Sequence, residues 1–265
     1  IFSSNLDEFY RVRVSAIRQI KELDKPLRKK LITKPNKLLT KISSQVDMLQ
    51  KEFGNIFYSE IIPSLRKENI NLLLLDKYSG VQFEYCKKYY KENRKSLCER
   101  IKEEEVLLVE NEIIYLIGND NSGKLIWVKI RPETSRFVSI PNVNGTFNIL
   151  FIDDILKHNL KEHFKTDFYA VKISRDAELY IESEYSGNLL DKIKAALPNR
   201  NSGQVTRALI DRQTPKEVIN ALKKALDIND NEIVKGGNYH HYKDFFRLLL
   251  ELFPCLKQRT CCRKI

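Results

Sequence analysis

The residues best equipped for chemistry stand at the start of the chain. In Ser4-Asn5-Leu6-Asp7-Glu8-Phe9, followed by Arg11-Val12-Arg13, a carboxamide, two carboxylates and two guanidinium groups fall close together on what reads as one helix. What the Asn5 amide is free to do depends on the cap. With Ser4 as N-cap, Asp7 falls at N3 and Asn5 at N1, leaving the amide to point forward; with Asn5 as N-cap, Glu8 completes a capping box and the amide is consumed. A free carboxamide offers one acceptor and two donors, the pattern that reads the edge of adenine. A plain helix cap is the other use of the same residues.

Elsewhere the reactive residue types lack the spacing that chemistry needs. Gly236-Gly237 is not followed by Lys-Ser/Thr, so it is no phosphate loop. His158 and His163 are five apart, poor spacing for a shared metal, and His240-His241 sit beside aromatic residues. Asp153-Asp154 would suit a magnesium ion, yet their strand-to-helix junction favours a role in opening the helix and meeting its dipole. Of the five cysteines, Cys86, Cys98 and Cys255 are scattered and Cys261-Cys262 are adjacent, which fits neither a disulfide framework nor zinc and favours a reducing cytosol. No residue of the chain is assigned a catalytic or metal-binding role.

The run Ser4 to Phe9 with its Arg-Val-Arg tail resembles the signature of the bacterial polyphosphate kinases. That resemblance implies that Asn5 contacts the ATP base. It extends in order through Arg136-Phe137-Val138 before Pro141, Phe151 to Leu160, and Ile173 to Leu179, covering roughly 1–246. It weakens at 87–112, where a charged Glu103-Glu104-Glu105 run replaces a Phe-Pro motif, and vanishes after Phe246. The family implies ATP and Mg2+ as cofactors, reversible transfer of the terminal phosphate of ATP to inorganic polyphosphate, and a phosphohistidine held in C-terminal domains. A homo-oligomer formed through the head domain and a cytoplasmic location, with peripheral membrane association left open, belong to the same expectation.

Charge supports a second reading. Between Arg11 and Lys41 eleven Lys or Arg face only Glu22 and Asp24, most of the formal net charge of +11. A basic, non-enzymatic module binding nucleic acid or another polyanion through 11–41 is therefore the alternative, against a merely solvated basic helix face. It lacks a nucleic-acid motif, and its aromatic residues follow core spacing, so no specific nucleic-acid partner is expected.

The positioning elements follow from pattern. At 265 residues with 42% hydrophobic residues, the chain has room for one large or two ordinary domains. No apolar run reaches membrane-spanning length, no charged leader precedes Ile1-Phe2, and a first residue other than Met reads as a clipped chain. Leu6, Phe9, Arg13, Ile17 and Ile20 trace a first helix, 24–35 a connector, and Leu39 to Ile56 a long second helix that Pro63 kinks or ends. Leu72 to Leu75 reads as a link, and Val81 to Ile101 as a third helix, completing an antiparallel bundle. Hairpin strands then flank Asn119 to Gly123, and strands follow at 136–141, 146–151, 168–174, 178–182 and 204–211. Helices fall over 153–164 and 187–197, and a further one opens from a Thr214-Pro215-Lys216-Glu217 capping box. The fold class is α+β: a helical-bundle N-terminal domain over 1–103, a mixed-sheet head domain over 104–247, and a divergent basic, cysteine-containing tail over 248–265.

Overall fold

The structure, a computed structural model, describes residues 2–22, 34–74, 78–102, 105–106, 109–120, 122–140, 147–176, 204–237, 239–240, 242–245 and 248. The expected strand at 178–182, the helix at 187–197, the tail after residue 248 and much of the connector at 24–35 lie outside these residues. Helix α1 (Phe2–Phe9) passes through a π-helical turn (Tyr10–Val14) into α2 (Ser15–Glu22). Helix α3 (Pro35–Ile56) starts with Pro35 at its first turn, where a missing N–H costs nothing, so this proline opens the helix rather than ending a connector. A second π-turn (Phe57–Ile61) leads directly into α4 (Ile62–Lys67). Pro63 therefore neither ends the helix nor breaks it: its ring displaces the carbonyl one turn back, and the widened turn just ahead absorbs the misfit.

Two expected assignments fail at strand ends. Residues Ile70–Leu73, the last two of which the sequence assigns to a link, form β1. The third helix stops early: α5 runs Gly80–Leu97 from a Ser79/Gln82 capping box, and Cys98–Ile101 is β2. The remaining elements are β3 (Ile114–Asn119), β4 (Leu125–Ile130), β5 (Phe137–Ile140), β6 (Phe147–Phe151), α6 (Ile152–Phe164), β7 (Tyr169–Arg175), β8 (Val205–Asp211), α7 (Lys216–Leu226) and β9 (Ile233–Gly236). The β3–β4 hairpin closes as the sequence predicts. Asp120 Oδ1 accepts from the backbone N–H groups of Ser122 and Lys124, and Gly123 takes a φ of +80°. The capping box at α7 does not form. Pro215 is itself the N-cap, and the Thr214 hydroxyl donates instead to the Asp211 carbonyl at 2.7 Å.

The result is an α+β fold with two mixed sheets. One has the order β1-β6-β5, with β1 parallel to β6; the other has the order β2-β4-β3-β7-β8-β9, with β8 and β9 parallel. The edge strands β1 and β2 come from the segment expected to be purely helical. Strand alternation gives the larger sheet two different faces. Tyr115, Ile117, Trp127, Val171, Ile173, Ala208 and Ile210 pack with α7 residues Val218, Ile219 and Leu222. Ile114, Leu116, Ile126, Val128, Ile130 and Ala170 join α5 and α6 through Cys86, Leu97, Ile155, Leu156 and Leu160. Beside this second core, Leu209 and Val234 meet Leu6, Tyr10, Val14, Leu39 and Val46, which seats α1 and α3 on the sheet.

Candidate functional site

Ser4 and Asn5 lie inside α1, not ahead of it, so neither is the N-cap that the sequence allowed. Both are exposed, whereas Leu6 and Asp7 are buried. At 100° per residue, Asn5 and Asp7 point to nearly opposite sides of the helix. One side faces solvent and the other is locked to the sheet.

The lock is electrostatic. Asp7 is 5% exposed, and its two carboxylate oxygens meet Lys172 Nζ from β7 and Arg207 from β8, the latter at 2.9 Å. Lys172 and Arg207 are themselves 2% and 1% exposed, so neither charge has water as an alternative partner. Burial pulls the pKa of both below the ordinary lysine and arginine values, and Asp7 pulls each back up. The Arg207 guanidinium also lies over the Tyr10 ring at 5.1 Å. Farther along, Arg18 reaches Glu232 at 3.0 Å and the Val205 carbonyl at 3.3 Å, while the Gln19 amide donates to Asp176 at 3.3 Å. Asn5 therefore stands on a fixed platform. Its amide can offer paired donor and acceptor groups to a base edge.

Asp7 is the residue that the sequence reading undervalued, as the N3 position of a Ser4 cap. The available signal was in its partners: Lys172 stands between Val171 and Ile173, and Arg207 directly before Ala208-Leu209-Ile210, both on one face of the sheet. Such positions are occupied only when a counter-charge arrives from elsewhere.

Asp153, Asp154 and His240 are engaged in contacts within the fold. Asp153 and Asp154 occupy the first turn of α6, both buried, with Phe151 as N-cap. Arg136 donates to Asp153 at 2.6 Å, and the Tyr239 hydroxyl donates to Asp154 at 2.7 Å. They tie β5 and the segment after β9 to the helix start. His240 is buried, its Nε2 lying 2.9 Å from Asp211 Oδ1 and 3.1 Å from the Ala170 carbonyl. Asp211 Oδ2 accepts from Lys157 at 2.7 Å and from the Ala170 N–H at 2.9 Å. His158 is partly buried, its ring 4.7 Å from that of Phe83, and burial lowers its pKa. His163 is exposed, and His241 lies outside the described residues. Among the described residues there is no cluster of three His, Cys, Asp or Glu suited to a metal ion, and no helix long and apolar enough to cross a membrane.

Comparison with known proteins covers both halves of the chain. Residues 1–73 match the family model described as polyphosphate kinase N-terminal domain, and residues 88–248 match that of the polyphosphate kinase middle domain. The polyphosphate kinase of Vibrio parahaemolyticus is 29% identical over 276 residues, an alignment covering 92% of this chain and 37% of that protein. That of Escherichia coli K12 is 26% identical, covering 92% of this chain and 38% of the relative. The crystal structure of the Porphyromonas gingivalis polyphosphate kinase shares the fold with a TM-score of 0.66 at 23% identity, over 92% of this chain and 35% of that one. The chain thus spans well under half the length of the relatives it matches. With its signature helix seated on the sheet of the second matched region, the chain belongs to the polyphosphate kinase family.

Proposed function

We propose that the chain is the N-terminal and head portion of a polyphosphate kinase, with Asn5 contacting the adenine of ATP. The observation that carries this is the pairing of exposed Asn5 with buried Asp7, which anchors the helix turn beneath a solvent-facing amide. On this reading the whole enzyme transfers the terminal phosphate of ATP reversibly to inorganic polyphosphate. The transfer runs through a phosphohistidine in domains beyond 1–265, a form of covalent catalysis that needs a positioned histidine and charge clamps. Mg2+ accompanies the nucleotide there, and none of its ligands is assigned here. The division into 1–103, 104–247 and 248–265, head-mediated oligomerisation and a cytoplasmic location belong to the same proposal. The first two units share a sheet, since β2 hydrogen-bonds β4.

Its test is direct. The chain incubated with ATP and magnesium makes no polyphosphate on this reading, because His240 is buried in an ion-paired cluster. Robust product from pure chain would overturn it. The rival basic module of 11–41 would instead bind nucleic acid with a steep salt dependence and no preference for ATP.

A further inference from the structure

A cavity lined by basic residues lies apart from the helix that carries Asn5. A cavity of about 410 Å³ opens between the C-terminal end of α5, β2, β4 and the last turns of α6. Arg94, Lys95, Arg100 and His163 line it, and no carboxylate does. Its floor is apolar, from Val128 and Leu160. The surrounding cations are neutralised: Lys87 meets Glu162 at 3.1 Å, Lys161 meets Asp167 at 2.6 Å, and Arg131 meets Glu99 at 2.8 Å. Arg94, Lys95 and Arg100 form no ion pair among the described residues. Three positive charges lining a concavity with no counter-charge among the described residues repel one another, a cost that an anionic ligand lowers.

The aromatic rings narrow the ligand class. Arg94 lies 5.9 Å from the centroid of Tyr90, and Arg100 lies 5.6 Å from that of Phe164. Each of these rings already carries a guanidinium, which orients the planar forks and leaves the rings poor platforms for a nucleobase. Guanidinium forks held this way suit phosphate oxygens. Arg94, Lys95 and Arg100 fall within 88–248, the span that matches the polyphosphate kinase middle domain.

We propose that this cavity binds a linear phosphoanhydride chain, inorganic polyphosphate, at a site separate from Asn5. The assignment rests on polyphosphate being the substrate of the proposed enzyme, and it needs no turnover to be tested. Sodium tripolyphosphate is titrated calorimetrically into the full chain at fixed ionic strength, alongside orthophosphate and ATP. Replacing Arg94→Gln and Arg100→Gln together is expected to weaken tripolyphosphate binding about tenfold or more, the loss of two charge-assisted contacts. Both side chains are exposed, so the fold is retained, as circular dichroism verifies. The pair Lys37→Gln and Lys41→Gln, exposed on α3, is expected to change nothing.

Location is read from Cys98, a cavity-lining thiol whose alkylation tripolyphosphate slows in the parent chain but not in the doubly substituted one. Absence of tripolyphosphate binding, equal binding of orthophosphate, or equal losses in the two double variants would overturn the site. ATP binding as tightly as tripolyphosphate, with the same sensitivity to Arg94 and Arg100, would hand the cavity to nucleotide phosphates and overturn the polyphosphate assignment. Asn5→Ala separates the two readings. It is expected to leave the tripolyphosphate titration unchanged, so failure here leaves the Asn5 proposal standing.

Discussion

Asp7 and Arg207 stand 200 residues apart in the chain and meet at 2.9 Å in a buried ion pair that Lys172 completes from the next strand. The pair decides how firmly the signature helix is held. Asp7→Asn keeps the shape and leaves two buried cations without a counter-charge, a loss expected to cost about 3–5 kcal/mol. Urea unfolding followed by circular dichroism measures it. A cost below about 1 kcal/mol, the range of an exposed ion pair, would show that the helix is held by its apolar contacts instead.

Ser4 and Asn5 separate stability from binding. Because both are exposed within α1 and neither caps it, Ser4→Ala is expected to leave stability unchanged or raise it by a few tenths of a kcal/mol. Had Ser4 been the cap, the loss would be about 1 kcal/mol. In an intact enzyme carrying this sequence, Asn5→Ala is expected to weaken ATP binding several-fold, roughly 1 kcal/mol, with no fall in melting temperature. An unchanged ATP dependence would remove Asn5 from the site.

Asp211 gives the fold an acid limb. Burial pushes its pKa up, but Lys157 and His240 more than offset this and hold it below the ordinary aspartate value. The unfolded chain therefore takes up the proton first, so the stabilisation is complete above about pH 4 and is lost as pH falls through the folded pKa. Lys157 has the opposite sign. Burial lowers its pKa, Asp211 raises it more, and its contribution is complete below about pH 10 and lost as pH rises through the folded value. The stability gap between the parent chain and Asp211→Asn is expected to be widest between these limits and to close in acid. A gap that stays constant down to pH 2 would contradict the assignment.

Gly118 tests the sheet itself. A Cβ there would come within 2.7 Å of the Asp167 carbonyl oxygen, a backbone atom that cannot swing aside. Gly118→Ala is expected to destabilise by about 1–3 kcal/mol. Thermal unfolding is the measurement, and a melting temperature equal to that of the parent would mean that the Asp167 loop yields freely.

Much of this was legible in the sequence where local pattern is decisive. The β3–β4 hairpin, β7, β8 and α6 carry enough alternation, turn residues or helical period to declare themselves. The errors fall where four residues must choose a state. Cys98–Ile101 continues the helical look of α5 and becomes a strand only because β4 lies alongside. Ile70–Leu73 is too short to announce a strand, and its parallel partner β6 lies far along the chain, where Asn71 donates to Asn148 at 3.1 Å. At the proposed site, the signature singles out Asn5, but its exposure is not legible there. That depends on Lys172 and Arg207, which local spacing cannot connect to Asp7.

The two π-turns set a limit on which insertions and deletions the chain can accept. Leu6, Tyr10 and Val14 are buried at four-residue intervals, a spacing that drifts about 40° per step around a regular α-helix. The wide turn at Tyr10–Val14 cancels part of that drift, and the one at Phe57–Ile61 lets Phe57 and Ile62, five apart, both face the core. Each turn holds one residue more than an α-helix would. Removing that residue ahead of Val14 would rotate the front of the helix by roughly a quarter turn, swinging Asp7 off its cations and carrying Asn5 with it. Which way Asn5 faces is thus written in the length of a helix turn as well as in the identity of its residues.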